Sequence, residues 1–223
     1  MISVPPLLFV TGTDTEVGKT VVTAALAASL PGNVRALKPV ATGVSDGSAG
    51  EDAELLGRAA GHDPLVMQTW LPALSPHRAA ALAGDTISLN QVVQWISTHR
   101  GSHTLVEGVG GWRVPIHWDF GVSELAQTLD APVLVVSANR LGTLNHTRLT
   151  VEAVRDSGLK VWGVVLNDGV GTSEDEARAH NYSDLQRFLP DYPIVRMPRI
   201  QQLTREQLAQ AGAGLIQAFG TVA

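Results

Sequence analysis

The chain reads as a three-layer α/β domain, a mostly parallel central sheet with helices on both faces, and three observations predict it. Short β-branched runs alternate with longer Ala/Leu/Gln-rich patterns along the whole length. Most of those runs are apolar throughout, as strands covered on both faces must be. The glycine-containing stretch Gly12-Thr13-Asp14-Thr15-Glu16-Val17-Gly18-Lys19-Thr20 falls directly after the first apolar run and directly before the first helical pattern. That is the place of a phosphate-gripping loop, so the fold class is phosphate-loop NTPase-like.

The elements follow in order. Residues 7–11 form the first strand, and the alanine-rich segment 19–29 the helix after the loop. A second strand covers 34–38. Residues 39–50 and 61–84, rich in Gly, Pro and Ser, are expected to be weakly structured, with a helix over 52–60 between them. A helix over 88–98 leads to a strand at 104–107, a helix at 122–129 and a strand at 133–137. The chain then alternates helix 143–156, strand 161–167, helix 174–188, strand 194–197 and helix 204–219. There is no internal repeat, and residues 1–223 are expected to form a single phosphate-loop domain. The weakly structured segments lie beyond the C-terminal end of the second strand, the rim where doubly wound sheets bind ligands.

Composition narrows the partners. At 223 residues and 44% apolar, the chain can bury a core without staples. Sixteen Lys and Arg against 21 Asp and Glu leave a net charge of -5, which offers no general attraction to nucleic acid or to an anionic membrane. With no cysteine, a thiolate metal site and a cysteine nucleophile are excluded, and the cytoplasm is the expected compartment. No stretch approaches the roughly 18 uncharged apolar residues of a membrane span.

The candidate site starts at the loop. Its glycines let backbone N–H groups approach phosphate oxygens, Lys19 reaches the outer phosphates, and the Thr20 hydroxyl suits Mg²⁺. Five residues separate Gly12 from Gly18-Lys19-Thr20 where the usual loop has four, which makes this a variant. Asp14 and Glu16 would repel a triphosphate unless a cation binds nearby, or unless both side chains face solvent and only the backbone serves the phosphates. Glu107, at the expected end of a buried strand before Gly108-Val109-Gly110-Gly111-Trp112, is the candidate metal-side carboxylate. Lys38, expected to close the second strand before Pro39-Val40-Ala41-Thr42-Gly43, is a second clamp on a transferring phosphoryl group.

These residues resemble the dethiobiotin synthetases, the ATP-dependent ligases of biotin synthesis. The likeness runs through Gly12 to Thr20, Lys38 to Gly43, Ser75-Pro76-His77, Glu107 to Trp112, Leu141-Gly142-Thr143-Leu144-Asn145-His146 and Asn167-Asp168, nearly the whole chain in order. The resemblance implies a homodimer that uses ATP and Mg²⁺ to close a ureido ring on 7,8-diaminopelargonic acid with CO₂. It makes Lys38, Lys19, Thr15 and Glu16 the catalytic set, and Thr20, Asp52 and Glu107 the metal ligands. By the same resemblance the nucleotide is held by Glu16, Val17, Gly18, Lys19, Thr20 and Val21, by Asp52, and by Glu107, Gly108, Val109 and Gly110. Asn167 and Asp168, with Met197, Pro198 and Arg199, would serve the base. Thr42 and Lys38 would hold the diamine, with Gly142, Asn145 and Tyr182 reaching the neighbouring subunit's substrate.

Three departures from the family pattern stand out: Thr42 where Ser is common, Arg199 where an apolar or aromatic residue is expected, and Glu51 beside Asp52. Two rivals fall on residues. A cobyrinate-type amide ligase needs a further domain with a cysteine nucleophile. A partitioning-type ATPase carries a Lys five residues before the loop lysine, where this chain has Asp14.

Overall fold

The computed structural model describes residues 4–45, 47–171 and 175–221. Seven parallel strands form one sheet in the order β3-β2-β4-β1-β5-β6-β7. They are β1 (Leu7–Gly12), β2 (Val34–Thr42), β3 (Val66–Trp70), β4 (His103–Gly111), β5 (Val133–Ala138), β6 (Val161–Asn167) and β7 (Ile194–Met197). Eight helices accompany them among the described residues: α1 (Lys19–Ser29), α2 (Glu51–Ala60), α3 (Pro76–Leu82), α4 (Leu89–Thr98), α5 (Val122–Thr128), α6 (Thr143–Asp156), α7 (Asn181–Phe188) and α8 (Arg205–Thr221).

Strand alternation explains why the runs are apolar throughout. Leu8, Val10, Ala36, Leu105, Leu134, Val136 and Val165 point to a core shared with α1, α2 and α8. Their odd-and-even neighbours Phe9, Leu37, Val106, Val133, Val135 and Val164 point to a second core under α3 to α7. Each buried strand serves two layers, so residues of both parities along it are mostly apolar. On the first face α8 lies close against α1, where a Cβ at Gly212 would strike the Ala25 carbonyl. The row Ala24, Ala25, Ala27 makes that approach possible.

Four expectations need correction. The segment 61–84 is not loop: it contains β3 and α3. Only Trp70 of β3 is buried, so this edge strand lacks an apolar run, while Ser75-Pro76 starts α3 with proline in its first turn. Strands β2 and β4 run on to Thr42 and Gly111, so Lys38 and Glu107 lie inside strands, and Gly108 to Gly111 belong to β4 with a register shift against β1. The expected helix 174–188 divides into a 3-10 turn, Glu176–Ala179, and α7; Glu174 lies outside the described residues. Helix α2 begins at Glu51, one residue early.

Candidate active site

Register builds the charged centre. Leu37 pairs with Val106, and Val10 with Glu107, across adjacent parallel strands. One step beyond Leu37, Lys38 sits beside Glu107, and alternation aims both at the face that carries α1 and α2. There Thr20, in the first turn of α1, and Asp52, in the first turn of α2, meet them. Lys38 Nζ lies 2.6 Å from Glu107 Oε1 and 2.7 Å from Asp52 Oδ2. The Thr20 hydroxyl is within hydrogen-bond reach of Asp52 Oδ1 at 2.8 Å and of the same Glu107 Oε1 at 3.0 Å. It carries one proton and can donate to only one of them.

Burial sharpens this cluster. Glu107 is 1% exposed, Lys38 3% and Lys19 6%. Burial alone would lower the pKa of Lys38, but Glu107 and Asp52 outweigh it and hold the ammonium above its ordinary value. Burial likewise opposes the ionised form of Asp52, and the attraction of Lys38 overcomes it, so its pKa is lowered. At Lys19 the balance tips the other way: burial first, then repulsion from Lys38, brings it down from 10.5 to about 8, against a weaker pull from Glu107, Asp52 and Asp14. Its Nζ donates to the Asp14 carbonyl at 3.0 Å, which folds the loop back over the head of α1.

The loop's backbone is set by Gly18 at φ 89, where a side chain would collide with the Asn167 amide, and by Glu16 at φ 55. Asp14, Thr15 and Glu16 are exposed, and Val17 is buried. Asp14 accepts from the Thr15 N–H at 2.7 Å and faces Arg140 at 3.7 Å. Between loop, strands and α2 lies a cavity of about 940 Å³. Thr15, Glu16, Gly18, Lys19, Thr20 and Val21 line its floor; Lys38, Thr42, Asp52, Val109 and Gly110 line its wall. The Gly108 carbonyl faces Lys38 Nζ at 3.5 Å. Ala73, Leu74, Ser75 and Pro76 also line it, and none of these was singled out as a site residue from sequence. The signal for Ser75 and Pro76 was there, in their place within the resemblance.

The remaining candidates lie elsewhere. Asn167 donates from Nδ2 to the Val17 carbonyl at 3.0 Å and accepts from Gly169 N–H at 2.9 Å, which ties the end of β6 to the loop. Asp168 is taken up by Arg196 at 2.8 Å and by the Asn139 amide. Met197 is buried at the end of β7, and Arg199 donates to the Gly169 carbonyl at 3.1 Å beside Pro198. Gly142 and Asn145 are exposed at the start of α6, outside the cavity. Tyr182 is half-buried, with its hydroxyl donating to Ile194 O.

Known proteins place this arrangement. A family model described as an AAA domain matches residues 7–207. The ATP-dependent dethiobiotin synthetase of Bacillus subtilis strain 168 is 36% identical over 208 residues, 89% of each chain. That of Ralstonia nicotianae is 41% identical over 207 residues, 86% of this chain and 88% of its own. The chain belongs to the ATP-dependent dethiobiotin synthetases. Membership of this ligase family supersedes the partitioning-ATPase and amide-ligase alternatives. The septum site-determining protein MinD from Pyrococcus horikoshii, complexed with Mg-ADP, superposes with a TM-score of 0.59 over 97% of this chain at 18% identity, a likeness of fold alone. Among the described residues no helix is long and apolar enough to cross a membrane.

For a dethiobiotin synthetase that hydrolyses a nucleotide, the donor set suits a small hard cation. Asp52, Glu107 and Thr20 offer oxygens only, and the buried Glu107 Oε2 has no hydrogen-bond partner. Among the described residues no three His, Asp or Glu side chains could cage a metal. A Mg²⁺ ion held by two carboxylates and a hydroxyl would keep positions for phosphate oxygens and water.

Proposed function

We propose that this chain makes dethiobiotin from 7,8-diaminopelargonic acid, CO₂ and ATP, with Mg²⁺, in two halves of one cavity. The observation that carries the reading is the meeting of Thr20, Lys38 and Asp52 over the buried Glu107 beside the phosphate loop, at a cavity that continues past Thr42 and Ser75. Phosphates would lie on the loop's backbone N–H groups at the N-terminus of α1, with Lys19 at their outer oxygens. Thr20, Asp52 and Glu107 would hold Mg²⁺, which supplies neutralisation of phosphate charge when bound.

The chemistry needs no enzyme nucleophile. One amine of the diamine takes up CO₂ and releases a proton, leaving a carbamate. A carbamate oxygen attacks the γ-phosphorus, ADP departs, and a carbamic-phosphoric anhydride remains. The second amine then attacks the activated carbonyl and gives up a proton as the C–N bond forms, and the C–O bond breaks as phosphate leaves with its oxygen. Both transfers build charge on oxygen, which Lys19 and Lys38 are placed to stabilise, and both depend on holding the reactants together. Thr15 and Glu16 border the phosphate end. Thr42 offers the diamine a hydroxyl. Asn167 would read adenine, with Asp168 and the segment Met197-Pro198-Arg199 around the base.

We further propose a homodimer in which Gly142, Asn145 and Tyr182 complete the partner's substrate site. The exposed side chains of Leu141, just before α6, and of Leu149, one turn beyond Asn145 on it, support an interface there. Mixing a Lys38→Met chain with an Asn145→Asp chain should restore turnover that neither shows alone; no restoration would confine each site to one chain. The function itself is tested with purified protein, Mg²⁺, ATP, bicarbonate and the diamine, scoring dethiobiotin by mass. Absence of ring-closed product at saturating reagents would reject it.

A further inference from the structure

We propose that Arg178 is a positioning residue for the nucleotide base, fastening the turn that follows Asn167 to the chain beyond the neighbouring strand. The inference rests on the reading of Asn167 as the base contact. Strands β5 and β6 end side by side, and beyond them the chain turns at 168–171, held to a strand backbone through the Asp168 N–H on the Met197 carbonyl. The Arg178 guanidinium adds to that hold. Nη1 donates to the Val170 carbonyl at 2.6 Å and to the Asn139 carbonyl at 2.9 Å, and Nη2 donates to the Asp168 carbonyl at 2.7 Å. Three carbonyls from two segments are thus gathered by one side chain that comes from a third. A planar fork with fixed donors can do this; a single ammonium cannot reach all three at once.

Two further observations show that the arrangement is built. The Asn139 amide bonds the Asp168 carboxylate at 2.6 Å and the Arg178 carbonyl at 3.2 Å, and its own oxygen accepts from buried Asn181 at 2.9 Å. Gly171, at φ 90, leaves room that a Cβ would take from the guanidinium, 3.0 Å away. The network ends at Asn167, whose amide holds Val17 of the phosphate loop and whose oxygen holds Gly169. Arg178 therefore does not touch the phosphates, but it fixes the turn behind the side chain that would meet the base.

The test compares ATP with inorganic tripolyphosphate, which has the phosphates without the base. Binding of both is measured by calorimetry for the unaltered chain, Arg178→Met and Arg178→Lys, with melting followed by circular dichroism. Hydrogen bonds from a charged donor predict at least about a tenfold loss of ATP affinity in Arg178→Met, with tripolyphosphate unchanged within about twofold. Arg178→Lys should recover only part of it, and serves as the test if the methionine variant melts early. In turnover, the KM for ATP should rise while kcat holds. Equal loss of both ligands, or loss of neither, would overturn the role of Arg178. An unaltered chain that bound tripolyphosphate as tightly as ATP would overturn the base reading and this proposal with it.

Discussion

The proposed phosphate end and the proposed base end of the site are built from different materials. At the phosphate end, four polar side chains from α1, α2, β2 and β4 converge, and charge is buried against charge. At the base end, amides and one guanidinium bind mainly to backbone carbonyls and to each other. The first arrangement must match a ligand that carries charge, so its residue types are dictated by the chemistry. The second must hold a turn in shape, and many side chains can do that. Its loss should weaken binding, whereas loss at the phosphate end should stop the reaction.

Removal of either lysine gives the largest expected effect. Lys19→Ala and Lys38→Ala should each lower turnover by about two to three orders of magnitude. They should differ in stability. Without Lys38, the buried Glu107 faces Asp52 with no cation between, a cost of about 3 kcal/mol, toward the lower end for a broken buried pair because Asp52 is half-exposed. Lys19 is strained by its burial, so its loss should leave the empty chain as stable as before or more so. Urea unfolding of the two variants, alongside turnover, checks both halves. Equal destabilisation would mean that Lys38 is not the counter-charge described.

Glu107→Gln should lower turnover about a hundredfold and raise the Mg²⁺ concentration needed for half-maximal rate. Glutamine keeps the shape and one oxygen but not the charge, so the fold should persist. An unaltered Mg²⁺ dependence would take Glu107 out of the metal set.

A smaller effect separates Lys19 from Lys38 by pH. The folded chain, free of nucleotide and metal, releases the Lys19 proton at about 8, below the 10.5 of the unfolded chain. Between those values the unfolded state binds more protons, so stability rises with pH, by on the order of 1–2 kcal/mol. Lys38 works in the opposite sense: its pKa is raised on folding, so its contribution is complete below the ordinary lysine value and is lost above it. Unfolding curves at pH 7.5 and 9.5 should therefore show a gain in the unaltered chain that disappears in Lys19→Met. A gain that survives the substitution would assign it to another group.

The same contrast accounts for what the sequence made legible. The loop Gly12 to Thr20, Lys38 and Glu107 could be picked out from their residue types and places in the chain, and Asp52 through the resemblance alone. Two-faced burial made the central strands legible, since both parities had to be apolar. Edge strand β3 was missed because four of its five residues are only partly buried, so no apolar run marks it. Lys38 and Glu107 read as strand ends because a buried charge breaks an apolar run; the partners that let the strand continue through them come from other elements. Arg178 and Asn139 gave no sign, because donors to backbone carbonyls leave no pattern along a chain.

The smallest expected effect tests the wall of the cavity. Thr42, at the end of β2, lines the cavity with a hydroxyl and a methyl. Thr42→Ser keeps the hydroxyl and removes the methyl, so the KM for the diamine should change by less than about threefold and kcat should hold, since one methyl in contact with a ligand is worth about 1 kcal/mol or less when partly exposed. Thr42→Val keeps the shape and removes the oxygen. If the hydroxyl meets an amine of the diamine, this variant should raise that KM about tenfold or more, because the ligand's polar group is left facing a methyl. In both variants the KM for ATP should stay within about twofold, since Thr42 lies on the proposed diamine side of Lys38. A larger effect from serine than from valine would show that Thr42 acts through packing, and the diamine contact would have to be sought at Ser75, which lines the same cavity.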